Sequence, residues 1–89
     1  MKLYRLVFLL ALFPACLFAG KTKISLEQVP EYILDAAEKE VDDIKFKEAE
    51  IFFKRGVMVY ELDGEKGSKE YEIHVDASGR VLKVEKEKK

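Results

Sequence analysis

The second half of the chain alternates apolar and polar residues with a period of two, and this pattern restricts the fold more than any other feature. The alternation occupies four segments rich in branched and aromatic side chains: 49–53, 57–62, 69–75 and 81–84. Turn-forming residues separate these segments at Arg55-Gly56, within 63–68 and within 76–79. Such alternation is typical of strands that bury one face. It predicts four antiparallel strands connected as a meander.

The three connections also predict how the strands pair. The expected pairs are Phe53 with Met58 across a two-residue turn, Tyr60 with Tyr71, and Ile73 with Leu82. These registers agree, because all of them place the same apolar set on one side of the sheet. The predicted buried set is Ala49, Ile51, Phe53, Met58, Tyr60, Leu62, Tyr71, Ile73, Val75, Leu82 and Val84. On the opposite side, Glu72 and Lys83 are expected to form a cross-strand pair of opposite charge.

Two irregularities interrupt the strand pattern. Ile44 and Phe46 are out of phase with the segment 49–53, which predicts a bulge or bend near Lys47-Glu48. In the first turn, Arg55 stands where a two-residue hairpin favours Asn or Asp, so a type I turn with a glycine bulge remains an alternative.

An amphipathic helix is predicted before the strands. Ser25 and Gln28 have the spacing of a capping box. Apolar residues then recur at the spacing of one helical face: Val29, Ile33, Ala36, Ala37 and Val41. Pro30 falls near the first turn, where a missing amide proton costs little. The predicted fold is therefore α+β, with one N-terminal helix of about 14 residues packed on one face of a four-stranded antiparallel meander sheet.

Residues 1–19 have the pattern of a secretory signal peptide. Lys2 and Arg5 precede an apolar run that Pro14 ends, and small residues surround the expected cleavage site after Ala19. The charged residues bracket a stretch too short for a membrane-spanning helix. The chain is thus expected to be exported, to the periplasm or beyond. The alternative is a lipoprotein anchored to the membrane through Cys16, because residues 12–16 loosely match a lipobox.

Composition narrows the class of the exported protein. Cleavage removes Lys2 and Arg5 from the 16 basic residues and none of the 17 acidic residues, which leaves a net charge of −3. This balance argues against nucleic acid as a partner. Cys16 is the only cysteine, so the cleaved chain has no disulfide. The expected organisation is one domain over residues 25–86, followed by a charged tail at 87–89.

Several short motifs, in their order and spacing, resemble the PepSY and PepSY-like families. They are Val29-Pro30, Ala36-Ala37, Tyr60-Glu61-Leu62, Tyr71-Glu72-Ile73 and the ending at 75–82. Between the predicted helix and the first predicted strand, many members carry Pro-Gly, whereas this chain carries Asp42-Asp43. The resemblance implies a small helix-on-sheet domain, similar to the repeat unit of beta-lactamase inhibitory proteins. Such domains occur in propeptides of secreted metallopeptidases and in envelope proteins, where a peptidase-inhibiting or protein-binding role has been suggested.

The family has no catalytic residues to transfer to this chain, and the sequence itself predicts no enzyme, cofactor or metal site. His74 is the single histidine and is interpreted as a surface residue, because catalysis or metal binding would need partners beside it. The candidate partner-binding surface is an apolar cluster on the sheet face away from the helix. It consists of Phe52, Val57, Val59 and Val81, with His74 at its border.

Two functions remain open from the sequence. The first is a secreted protein-binding module of PepSY type whose partner is another envelope or secreted protein, with inhibition of a peptidase as one form. The second is a structural envelope protein, or one that senses a small molecule or ion, without a dedicated protein partner. Contact with a membrane is expected only if Cys16 is lipidated.

Overall fold

The computed structural model describes residues 20–88, so the predicted signal peptide lies outside the described residues. A five-stranded antiparallel sheet with strand order β1-β2-β3-β4-β5 dominates this part of the chain. The strands are β1 (Thr22–Ile24), β2 (Lys45–Lys54), β3 (Val57–Lys66), β4 (Lys69–Asp76) and β5 (Val81–Lys88). A 3₁₀ helix (Leu26–Gln28) and the helix α1 (Glu31–Glu40) lie between β1 and β2. No helix within residues 20–88 is long and apolar enough to span a bilayer.

The predicted four-stranded sheet with an N-terminal helix is wrong, because a strand precedes the helix. β1 pairs with the middle of β2 and places Lys23 opposite Glu50 and Ile24 opposite Ala49. A three-residue strand is too short to show a recognisable alternation, and only its pairing with β2 defines it. The antiparallel meander itself is present, extended by this fifth strand at one edge.

The helix is also shorter than predicted. The backbone N–H of Ser25 donates to Oε1 of Gln28 at 2.9 Å, so the capping pair forms, but it caps the 3₁₀ helix. Val29 and Pro30 are extended, and α1 begins only at Glu31. Ile33 and Ala37 of α1 are fully buried against the sheet.

The first hairpin matches the sequence prediction. Phe53 lies opposite Met58, and Arg55 and Gly56 both have positive φ, which is the backbone of a type I′ turn. The predicted irregularity is present as well, because the β2–β3 register shifts between Phe46 and Glu48. In the first turn, the positive φ of both Arg55 and Gly56 shows that the alternative, a type I turn with a glycine bulge, is wrong.

The second hairpin differs from the prediction. β3 continues through Asp63-Gly64 to a two-residue turn at Gly67-Ser68, and Tyr60 pairs with Val75 instead of Tyr71. Gly64 lies within the strand, and the position requires glycine because a Cβ there would lie 2.7 Å from the Lys45 carbonyl oxygen. The shift along β4 is an even number of residues, so every side chain keeps its predicted face.

The last hairpin contains a bulge that the sequence did not predict. Ile73 pairs with Val84 and Val75 with Val81, and Leu82 is the extra residue between them. Val81 consequently packs against the core. The predicted pairs Ile73–Leu82 and Glu72–Lys83 are wrong, because Glu72 lies opposite Glu85 and Lys83 lies opposite His74.

The core lies between α1 and the sheet. Its fully buried residues include Ile33 and Ala37 from α1 and Ala49, Leu62, Ile73 and Val75 from the sheet. Three members of the predicted buried set are exposed instead: Phe53 (66%), Leu82 (46%) and Val84 (42%). The short helix does not cover the hairpin tip or the edge strand, and this leaves those three side chains in solvent.

Candidate functional site

The face of the sheet opposite α1, here called the outer face, carries most of its charges in rows that cross the strands. One row, the acidic row, runs Glu48, Asp63, Glu72 and Glu85 from β2 to β5. Like charges that face each other directly across strands repel. The acidic row therefore gives the outer face a band of negative potential with no cation within the row.

An open cleft of about 300 Å³ lies along the acidic row. It is lined by Lys47, Glu48, Asp63, Gly64, Glu70, Tyr71, Glu72 and Glu87. Lys47 is the one basic residue of this lining, and its ammonium is 3.9 Å from Oε2 of Glu65. The cleft is consequently complementary to a positively charged group.

Asp63 responds most strongly to this environment. Burial, and to a lesser extent the carboxylates of Glu61 and Glu72, raises its pKa to about 6. Both effects disfavour the charged form, because a partly desolvated carboxylate faces other carboxylates. The ionised form of Asp63 is therefore energetically unfavourable at neutral pH.

The neighbouring row begins with a cation and ends with one: Lys23, Glu50, Glu61, His74 and Lys83. Glu61 and His74 lie directly opposite each other on β3 and β4. Glu72 precedes His74 by two residues, so its side chain points to the same face. Together with Lys21 and Phe52, these three residues form what we call the outer-face cluster.

Distances within the outer-face cluster are short. His74 Nε2 lies 2.8 Å from Oε2 of Glu72 and donates its proton there, because an ionised carboxylate only accepts. The same nitrogen is 3.6 Å from Oε1 of Glu61. The rings of Phe52 and His74 meet edge to face with centroids 5.3 Å apart, across the intervening strand β3.

Glu61 is the only buried charged residue of the described chain, with 5% of its surface exposed. The Lys21 ammonium lies 2.5 Å from its Oε1 and 5.7 Å from the centre of the Phe52 ring. This carboxylate raises the pKa of Lys21. A buried carboxylate needs such a counter-charge, and among residues 20–88 the exposed Lys21 is the cation within hydrogen-bonding distance of Oε1.

The structure divides the predicted apolar surface. Phe52, Val59 and His74 come together on the outer face, but Val59 is only 1% exposed and offers little contact area. Val57 is exposed at the tip of the first hairpin. Val81 lies on the helix-covered face because of the bulge at Leu82. The five residues therefore do not form one continuous exposed apolar patch.

Lys21, Glu61 and Glu72 were not predicted from the sequence as members of a site. The predicted β3–β4 register placed His74 beside apolar residues, whereas the observed register places it opposite Glu61. One signal was available in the sequence. Glu72 and His74 are two residues apart and so share a face of β4, and Glu61 and Asp63 share a face of the preceding strand in the same way. Only the pairing of the two strands shows that these residues converge.

Comparisons of the chain with protein-family models, with curated proteins and with solved structures found no match. The similarity to PepSY domains therefore stays a prediction from the motifs. The fold and the outer face define a small α+β domain with a charged, helix-free sheet surface.

Proposed function

We propose that this chain is an exported protein-binding module of PepSY type, and that it binds a basic segment of another envelope or secreted protein on the outer face of its sheet. The observation that carries the proposal is the acidic row with its cleft. Four carboxyl groups lie in register across four strands, and Asp63 among them has its pKa raised to about 6.

The charge pattern supports a cationic partner. Ammonium or guanidinium groups in the cleft would relieve the repulsion within the acidic row and lower the cost of the charged Asp63. Complementary charge also raises association rates and selects against acidic partners. A peptidase with a basic surface near its active site is one partner of this kind, and its inhibition would follow from occlusion.

A charge-matched pair of double variants tests the proposal. Glu48→Gln/Glu85→Gln removes two exposed carboxylates at the ends of the acidic row, whereas Glu31→Gln/Glu38→Gln removes two exposed carboxylates from α1. Each variant and the original protein are used to capture proteins from the periplasmic fraction, and the identified partner is purified for titration. We expect the outer-face variant to bind it about tenfold more weakly, as for a lost anchor contact.

The helix variant serves as the control and is expected to keep the original affinity. Cross-linking should place a Lys- or Arg-rich segment of the partner against β3 and β4, and affinity should fall as salt screens the charges. A partner that both double variants bind equally, or a bound segment without basic residues, would contradict the proposal.

Export has its own test, the intact mass of the protein recovered from the periplasm. We expect a chain that begins at Gly20, because Leu17 and Ala19 suit the signal peptidase pocket. A diacylglyceryl-modified chain beginning at Cys16 would instead establish the lipoprotein form and membrane attachment.

One observation favours the second candidate function, an ion-sensing envelope protein. Glu61, Glu72 and His74 offer three ligand atoms that all lie within 4.8 Å of one another. A cation bound there would remove negative charge from the outer face, so occupancy of the site would follow the concentration of the ion without a protein partner.

A further inference from the structure

We infer that Glu61, Glu72 and His74 form a binding site for a divalent first-row metal ion, with Zn²⁺ as the best match, and that the Lys21 ammonium occupies the position of the ion until the ion displaces it. The inference goes beyond the proposed binding of a basic segment and needs no protein partner.

The backbone supplies the convergence of the three side chains. Glu61 and His74 are direct cross-strand partners, and Glu72 lies two residues from His74 on the same face of β4. The ligand atoms are Glu61 Oε1, Glu72 Oε2 and His74 Nε2. Regular strands hold them, so the site depends on sheet register and not on loop conformation.

The distances suit a small tetrahedral ion. Zinc bonds of about 2 Å place neighbouring ligand atoms about 3.3 Å apart. His74 Nε2 is 2.8 Å from one carboxylate oxygen and 3.6 Å from the other, so side-chain shifts of about 1 Å would produce that spacing. The neutral imidazole would then carry its proton on Nδ1 and present the Nε2 lone pair to the metal.

The buried carboxylate is the second observation that points to a cation. Glu61 is 5% exposed, and the counter-charge of its carboxylate comes from the exposed Lys21, which precedes the short strand β1. A divalent ion would neutralise both glutamates at once. Lys21 could leave without loss of core packing, because it lies at the free edge of the sheet.

The donor set selects among cations. One imidazole nitrogen with two carboxylate oxygens suits Zn²⁺, whereas Mg²⁺ and Ca²⁺ prefer sites made of oxygen alone. Three protein ligands leave one tetrahedral position for water. We therefore expect Zn²⁺ to bind in the presence of excess Mg²⁺.

Calorimetric titration of the purified chain with Zn²⁺ tests the site, with the visible absorption of bound Co²⁺ as a report on coordination number. We expect one ion per chain, and a loss of affinity of about tenfold or more in His74→Gln and in Glu72→Gln. Glu38→Gln is the matched control, because Glu38 is an exposed glutamate of α1, on the opposite side of the sheet from the outer-face cluster. It should bind Zn²⁺ as the original protein does.

The role of Lys21 is tested by a second matched pair. Lys21→Met and Lys23→Met each remove one exposed ammonium at the N-terminal edge of the sheet. The Lys21 ammonium contacts Glu61, while that of Lys23 lies 3.5 Å from Oε2 of Glu48. We expect Lys21→Met to bind Zn²⁺ at least about fivefold more tightly than Lys23→Met, because the competing cation is gone.

Three results would overturn the inference. They are the absence of Zn²⁺ binding, unchanged binding by His74→Gln, and equal affinities of the two lysine variants. Circular dichroism of each variant verifies the fold, and all substituted side chains lie away from the core under α1.

Discussion

The side chains on the two faces of the sheet have opposite effects on the stability of the domain. The helix-covered face is apolar, and Leu62 and Ile73 at its centre have no solvent exposure. The outer face carries Asp63 and Glu72 on the same two strands, in direct cross-strand contact despite their like charge. Hydrophobic burial on one face stabilises the domain, and the other face retains unfavourable charge that a cation could relieve.

The largest expected effect is at the centre of the apolar face. Ile73→Ala should lower the free energy of unfolding by about 2 to 5 kcal/mol, because it opens a cavity beneath α1. Urea unfolding measures the loss. Val84→Ala is the matched control, since Val84 pairs with Ile73 on the same face but is exposed, and its loss should be about 1 kcal/mol or less. Equal losses would show that the helix covers the edge strand as well.

A smaller loss is expected where the backbone of β3 approaches β2. Gly64→Ala would place a methyl group 2.7 Å from the Lys45 carbonyl and 2.8 Å from the Ile44 side chain. Overpacking of this kind should cost about 1 to 3 kcal/mol, measured by thermal or urea unfolding. Ser68→Ala in the exposed turn is the control and should be nearly neutral. If Gly64→Ala were neutral, the close contact with Lys45 and Ile44 would be contradicted, and the loop predicted from the sequence would be favoured at this position.

On the outer face, a substitution should stabilise the protein. The folded-state pKa of Asp63 is about 6 and the ordinary pKa of an aspartate, which applies to the unfolded chain, is 3.8, so folding favours the protonated form. Stability linked to this group is complete below about pH 4 and is lost as pH rises through 6. After allowance for solvent screening, Asp63→Asn should gain about 1 kcal/mol at pH 7.

Urea midpoints of the original protein and of Asp63→Asn, compared between pH 4 and pH 7, measure the effect. The difference between the two proteins should be small at pH 4 and grow toward pH 7. A difference that stays constant with pH would indicate that the charges of the acidic row do not interact.

The smallest effect has the opposite pH dependence. Asp76 Oδ1 accepts hydrogen bonds from the Ser78 hydroxyl and from the backbone N–H groups of Ser78 and Arg80, which lower its pKa. Its contribution is therefore present at neutral pH and lost as pH falls below the normal range of an aspartate. Asp76→Asn should lower the melting temperature slightly at pH 7 and leave it unchanged in acid. The same response at both values would exclude a role for the charge.

Prediction from the sequence succeeded where the determinants are local. The turn at Arg55-Gly56 and the irregularity near Lys47 follow from residues that are neighbours in the chain. The β3–β4 register was wrong because Asp63-Gly64 has the composition of a turn, although Gly64 is required by contact with Ile44, twenty positions earlier. Such a contact has no local signal.

In the candidate site, too, the features with local determinants were predicted correctly and those that depend on strand pairing were not. Phe52, Val59 and His74 were assigned to the correct face, since period-two alternation determines the face regardless of register. The prediction of their neighbours was wrong, because the strand register decides whether His74 lies opposite an apolar residue or opposite Glu61. The outer-face cluster also needs β1, and no local pattern predicts that strand.

The sequence alone was enough to predict the strands β2 to β5, their antiparallel order and the side of the sheet that the residues of β2 to β4 face, because alternation and turn chemistry act over a few neighbouring residues. The tertiary structure decided the fifth strand, the bulge at Leu82 and the meeting of Lys21, Glu61, Glu72 and His74. These features depend on which segments pair and how far each slides along its neighbour. That choice is made by packing across the whole sheet, where a glycine at one position or a short helix above another selects one register among several with the same alternation.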